Sequence, residues 1–187
     1  MIMSKAVLMS IQPKWCELIA SGKKTVEIRK TKPKLETPFK VYIYCTKPKH
    51  YYRVSGCITA SDECLWLSNG EVKMGDGFEY WVENKDYCSL NGKVIGEFVC
   101  NEIEWFMPDY TADWSHGLYA CHISNLVIYD KPKELSEFYT KCNIPESKCK
   151  FCDNCYDRED YYGRHYAVKK LTRPPQSWCY VEDGERN

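Results

Sequence analysis

A chain of 187 residues with a formal net charge of zero has room for one domain with its own core, or for one domain and a small appendage. No run approaches the roughly 18 apolar residues of a membrane span, and "MIMSKAVLMSIQPKW" lacks the long apolar stretch of a secretion signal, so a soluble, cytoplasmic chain without a membrane partner is expected. The zero hides an asymmetry: residues 1–60 hold 12 of the 26 Lys and Arg but 3 of the 26 Asp and Glu, a basic segment of the kind that attracts phosphates.

"AVLM" (6–9) reads as a first strand. Pro13 suits the first position of a helix, Trp15, Leu18 and Ile19 recur at helical spacing, and Gly22 supplies a left-handed stop. "TVEIR" (25–29) alternates, with Val26 and Ile28 on one face, expected to be the core face, and Thr25, Glu27 and Arg29 on the other, which presents an acid and a base together. Lys24 precedes the regular strand, and alternation does not decide where its amine points. Six lysines and arginines fall within residues 21–34. After a proline-punctuated loop come strands at 40–46, 54–60, 92–103 and 117–129, then a short helix at 131–139 with Pro132 near its start. The stretch at about 50–91, rich in Gly, Asn and charge, reads as an insertion carrying a hairpin or short helix. Residues 141–170 are acidic and cysteine-rich, and "RPPQSWCYVE" leads into a last strand that returns to the main domain of residues 1–140, with the tail ending at 187.

Gly22, Lys24, Glu27 and Arg29 stand in the spacing GxKxxExR after a short helix preceded by "SIQP". With "VYIYCT", "GKVIGEFVCNEI" and "CHISNLVIYDKPKELSEF", this resembles the ASCH family of the PUA-like superfamily, in its small bacterial and phage-type form. The resemblance implies an α+β fold, a PUA-like mixed pseudo β-barrel with short helices at its ends, here with the insertion and the Cys-rich appendage added. It implies a cleft beside the motif strand, in a superfamily that mostly binds RNA or modified nucleotides. Some ASCH proteins are described as ribonucleases, and one small relative removes acetyl from N4-acetylcytidine with a lysine and a threonine of the motif and a more distant glutamate. Lys24 matches that lysine; Glu27 stands at the threonine.

Three functions follow as alternatives. The first is binding of RNA or a modified nucleotide by Lys23, Lys24, Glu27 and Arg29, with Trp15 or Trp178 stacking a base. Arg29 suits a phosphate or carboxylate held through two bonds, and Glu27 suits a water or a base amino group. The second is an enzyme, an N4-acylcytidine amidohydrolase or a ribonuclease, with Lys24 and Glu27 as the chemical pair. The third is an adaptor whose acidic 142–187 region docks a protein. Against all three stands an ordinary surface strand whose Glu27 and Arg29 pair sideways. Tyr51 and Tyr52 are further stacking candidates, although most aromatic residues serve packing, and His116 and His122 fit a strand environment better than catalysis.

Four cysteines, Cys142, Cys149, Cys152 and Cys155, fall within 14 residues at x6, x2 and x2 spacing, with His165 and Cys179 in reserve. Four thiolates so placed can wrap a tetrahedral zinc that organises a polar tail; an iron–sulfur cluster or free thiols are the alternatives. Cys45, Cys57, Cys100 and Cys121 lie in apolar runs and are expected to be buried thiols.

Overall fold

Every residue of β1 (Lys5–Ile11) after the first is buried, so this strand is covered on both faces, as a central strand should be. The computed structural model that shows this describes residues 5–47, 51–54, 57–60, 65–68, 71–74, 90–107, 117–142, 155–159 and 165–182. The chain continues through α1 (Pro13–Ala20), β2 (Val26–Arg29) and β3 (Phe39–Cys45). Two small hairpins follow, β4 (Tyr51–Val54) with β5 (Cys57–Ala60), and β6 (Leu65–Ser68) with β7 (Glu71–Met74). Then come the long strands β8 (Val94–Phe106) and β9 (Leu118–Lys133), a 3₁₀ turn at Leu135–Glu137, β10 (Tyr139–Lys141), β11 (Cys155–Glu159), β12 (His165–Lys170) and β13 (Trp178–Glu182).

Six strands form the main sheet in the order β13-β1-β3-β8-β9-β2, in which β1 and β3 run parallel and the other neighbours antiparallel. One face carries Val7, Met9, Ile11, Val41, Ile43 and Phe98 and is closed by Cys16 and Ile19 of α1. The opposite face carries Leu8, Tyr42, Tyr44 and Val181 and packs against Phe138 and Leu171, next to the three-stranded sheet β10-β12-β11.

The sheet is mixed but open, which corrects the expected pseudo-barrel. Among the described residues β2 pairs only with β9 and β13 only with β1, so no backbone ladder joins the two margins. They are nevertheless close. The β8–β9 register shifts three times, and Asn125 sits at φ 47° beside one of these bulges. Bulges bend and twist a sheet, and here the bend carries β2 round toward β1 and β13. Three side-chain clasps then span the seam: Arg29 Nη2 donates to the Ser10 carbonyl at 2.8 Å, Trp178 Nε1 to Thr31 O and Oγ1 at 3.2 and 3.0 Å, and the Lys34 amide to the Tyr180 hydroxyl at 2.7 Å.

Other expectations change as well. The helix expected at 131–139 is the end of β9 followed by the short 3₁₀ turn. Pro132 lies one residue before the end of β9, where a missing ladder donor is tolerated. The single strand expected at 54–60 is instead divided between two antiparallel strands, Val54 ending β4 and Cys57–Ala60 forming β5. Cys100 and Cys121 are not separate thiols: β8 and β9 bring their Cα atoms to 5.8 Å and their sulfurs are paired. Cys16 and Cys45 are free and buried, as an apolar environment suits.

Candidate nucleic-acid interface

The motif residues gather at the seam because of how α1 ends. Pro13 opens the helix, and Gly22 at φ 71° closes it, its amide donating to Ile19 O while the Lys24 amide donates to Leu18 O, both at 2.9 Å. A left-handed residue is needed for that turn, and glycine adopts it without the roughly 1–2 kcal/mol cost of a Cβ. The turn folds Lys24 back over the helix, and its ammonium lies 5.3 Å from the ring centre of Trp15, whose other cation contact is Lys14 at 4.8 Å. Trp15 is 40% exposed, so part of its ring remains available beside those cations.

Below this lip, Glu27 is buried, with 5% of its surface exposed. Its two oxygens face opposite cations: Oε1 lies 3.1 Å from Arg29 Nη2 and Oε2 lies 3.4 Å from Lys24 Nζ. The second is a charge contact without hydrogen-bond geometry, because Oε2 makes no hydrogen bond, and neither does the buried Arg29 Nε. Lys24 Nζ instead donates to Val26 O at 2.5 Å. Its ammonium thus rests among a carbonyl, a carboxylate and an indole face, all of which attract positive charge.

The site floor is sulfur-rich. Glu27 lies opposite Cys121 in the β2–β9 register, Cys121 is joined to Cys100, and Cys16 lies in the same core cluster. Burial pushes the Cys16 thiol well above its ordinary range, the neighbouring Cys45 adds to the shift, and the nearby Arg29 guanidinium opposes it. Cys16 is therefore a protonated packing group at neutral pH.

The structure thus brings together Lys24, Glu27, Arg29 and Trp15. Lys23 is exposed on the turn before them. Trp178 reaches the same seam, but its indole N–H is taken by Thr31 and its ring meets Tyr180 edge-on at 5.3 Å. His122 lies on the far face, 3.6 Å from Glu104, and His116 falls outside the described residues. Tyr51 and Tyr52 belong to the β4–β5 hairpin. Of the cysteine cluster, Cys142 is half-buried just past β10 and Cys155 opens β11, whereas Cys149 and Cys152 lie outside the described residues.

Sequence reasoning missed two features, one within the site and one extending away from it. One is the Ser10 carbonyl, which Arg29 reaches only because the sheet bends. The other is the row Arg29, Tyr119 and Trp105, aligned across β2, β9 and β8 by register. Alternation within β8 and β9 carried some of that signal, but which strands would be neighbours did not follow from it.

The seam of this open, mixed sheet thus holds a buried acid between two cations. The family model for the ASCH domain matches residues 9–163, more than half of the chain, and the protein belongs to that family, which is associated in general with RNA binding. No curated protein and no solved structure gives a significant match. No helix among the described residues is long and apolar enough to cross a membrane.

Proposed function

We propose that the protein binds RNA, or a modified nucleotide within it, in the seam cleft beside the GxKxxExR strand. The observation that carries this reading is the Glu27–Arg29 pair: a buried carboxylate oxygen and a buried guanidinium N–H, neither hydrogen-bonded, beside the Lys24 ammonium and a half-exposed indole. Buried polar atoms are normally satisfied, and an acceptor beside a donor matches the edge of an unpaired base. Moving Lys24 aside uncovers Oε2, while its ammonium and the other basic groups of residues 21–34 meet the phosphates. Lys24 Nζ is engaged by the Val26 carbonyl and lies against the Glu27 carboxylate, contacts that suit a binding group, so binding is preferred over hydrolysis by Lys24 and Glu27.

The test is fluorescence anisotropy with a labelled single-stranded RNA. Affinity is expected to fall steeply with salt, with a log–log slope of about −2 if three phosphates are neutralised. Arg29→Ala should weaken binding at least about tenfold, with Arg29→Lys and circular dichroism separating lost contact from lost fold. Affinity that stays constant between low and moderate salt would refute the proposal. A mass-spectrometric time course on an RNA carrying one N4-acetylcytidine, with Lys24→Ala as control, decides the enzymatic alternative: lysine-dependent loss of acetyl or strand cleavage would make the protein an enzyme.

We also propose that Cys142, Cys149, Cys152 and Cys155 hold a structural zinc. What supports this is their spacing, together with the placement of the two ends of the cluster, after β10 and at the start of β11, on either side of β12. Protein passed over a chelating resin should retain about one zinc per chain. Less than about a tenth of an equivalent would sink the idea.

A further inference from the structure

We infer that the cleft is one end of a longer track, and that Tyr119 and Trp105 form a second stacking position for the next nucleotides of a single-stranded RNA. This rests on the RNA-binding reading above. Residues directly opposite in neighbouring strands share a face, so Arg29, Tyr119 and Trp105 stand in one row, next to the row of Glu27, Cys121 and Ile103. Two strand spacings carry that row about 10 Å from the cleft, within reach of the neighbouring nucleotides of an extended single strand.

Three observations mark the row as more than scattered surface. Trp105 is 57% exposed, an unusual state for the largest apolar side chain. Its indole lies against Gly117, where any Cβ would collide with Nε1, Cε2 and Cζ2, so the missing side chain is what allows the ring its place. The neighbouring Tyr119 ring carries the exposed Lys32 ammonium at 5.5 Å, which sets a cation beside the stacking surface as a sugar–phosphate chain requires. A phosphate chain passing the row would meet the Lys32 and Lys24 ammoniums while its bases lie on the rings.

The test compares cytidine monophosphate with a five-residue oligocytidylate RNA by calorimetry, using wild-type protein, Trp105→Ala and Trp105→Phe. Wild type should bind the oligomer at least about tenfold more tightly than the monomer. Trp105→Ala should remove most of that gain and leave monomer affinity unchanged, and Trp105→Phe should restore most of it. Because Trp105 is exposed, alanine there is expected to spare the fold. A gain with length that is the same in Trp105→Ala as in wild type overturns the track and leaves the cleft reading intact. Absence of binding to both probes overturns both, and equal affinity of wild type for the two probes overturns the track alone.

Discussion

Replacing Glu27 by alanine is expected to lower folding stability by about 3 kcal/mol, read as a shift in the urea midpoint. The carboxylate side chain is 7% exposed and lies between two cations that are themselves only 18% and 17% exposed. Deleting one partner of a buried ion pair typically costs about 3–5 kcal/mol, because the remaining charge stays desolvated and unpaired. Here two charges would be left facing each other. Their residual exposure lets water in, which places the expected loss at the lower end of that range. Glu27→Gln keeps the volume and a hydrogen-bond acceptor for Arg29, and should cost less than half as much. The loss should change little with added salt, since screening acts weakly on buried pairs. A loss under about 1 kcal/mol for Glu27→Ala would mean that attraction and desolvation cancel at this site, and that the triad is not what fixes β2. A cycle with Arg29→Ala isolates the pair, with a coupling above about 0.5 kcal/mol expected.

Gly96→Ala should be similarly damaging, by about 2–3 kcal/mol. Gly96 lies opposite Ile128 between two register shifts of the β8–β9 pair. A Cβ built there collides with the Val127 carbonyl oxygen and comes within 3.0 and 3.1 Å of Ile128 Cδ1 and Cα. Two of those three atoms are main chain, so a rotamer change does not relieve the clash and the strands must separate. The expected signature is a lower urea midpoint together with altered near-ultraviolet circular dichroism. A midpoint within error of wild type would show that the bulge absorbs a methyl group.

Much of the candidate site was legible before any fold was known. Pro13 and Gly22 bracket α1, and the alternation of "TVEIR" places Glu27 and Arg29 on one face, because these signals are local and depend on backbone propensity, but the faces are reversed from expectation: Glu27 is buried and Ile28 is exposed, since the paired cations let the acid face inward. Family resemblance supplied the reason to single out Lys24. The seam was not legible, since it depends on cumulative bending from bulges at Ile43, Glu97 and Cys100, which leave no distinct residue signature. For the same reason the expected pseudo β-barrel did not anticipate how open the sheet is. The end of β9 was misread because Pro132 serves equally as a helix opener and as a strand-end residue, and only the pairing of Lys133 with Val94 decides between them. The Cys100–Cys121 pair was missed because pairing is a matter of register, and apolar flanks are equally suited to a lone buried thiol. Trp105 was hidden among 27 aromatic residues until strand neighbours gave it a position.

The margin between β2 and the β1–β13 edge has a consequence for what the cleft can admit. Where strands meet through a ladder, widening the gap removes backbone bonds in series; here, among the described residues, the hydrogen bonds it strains are those of Arg29, Trp178 and Tyr180. Each such bond contributes about 0.5–1.5 kcal/mol, and the β2–β9 ladder is untouched when one gives way. The aperture is therefore elastic while the scaffold behind it is stiff. On the proposed function, a base carrying an added group of several atoms would enter such a mouth by parting side chains, leaving the register that aligns Glu27 with Cys121 in place.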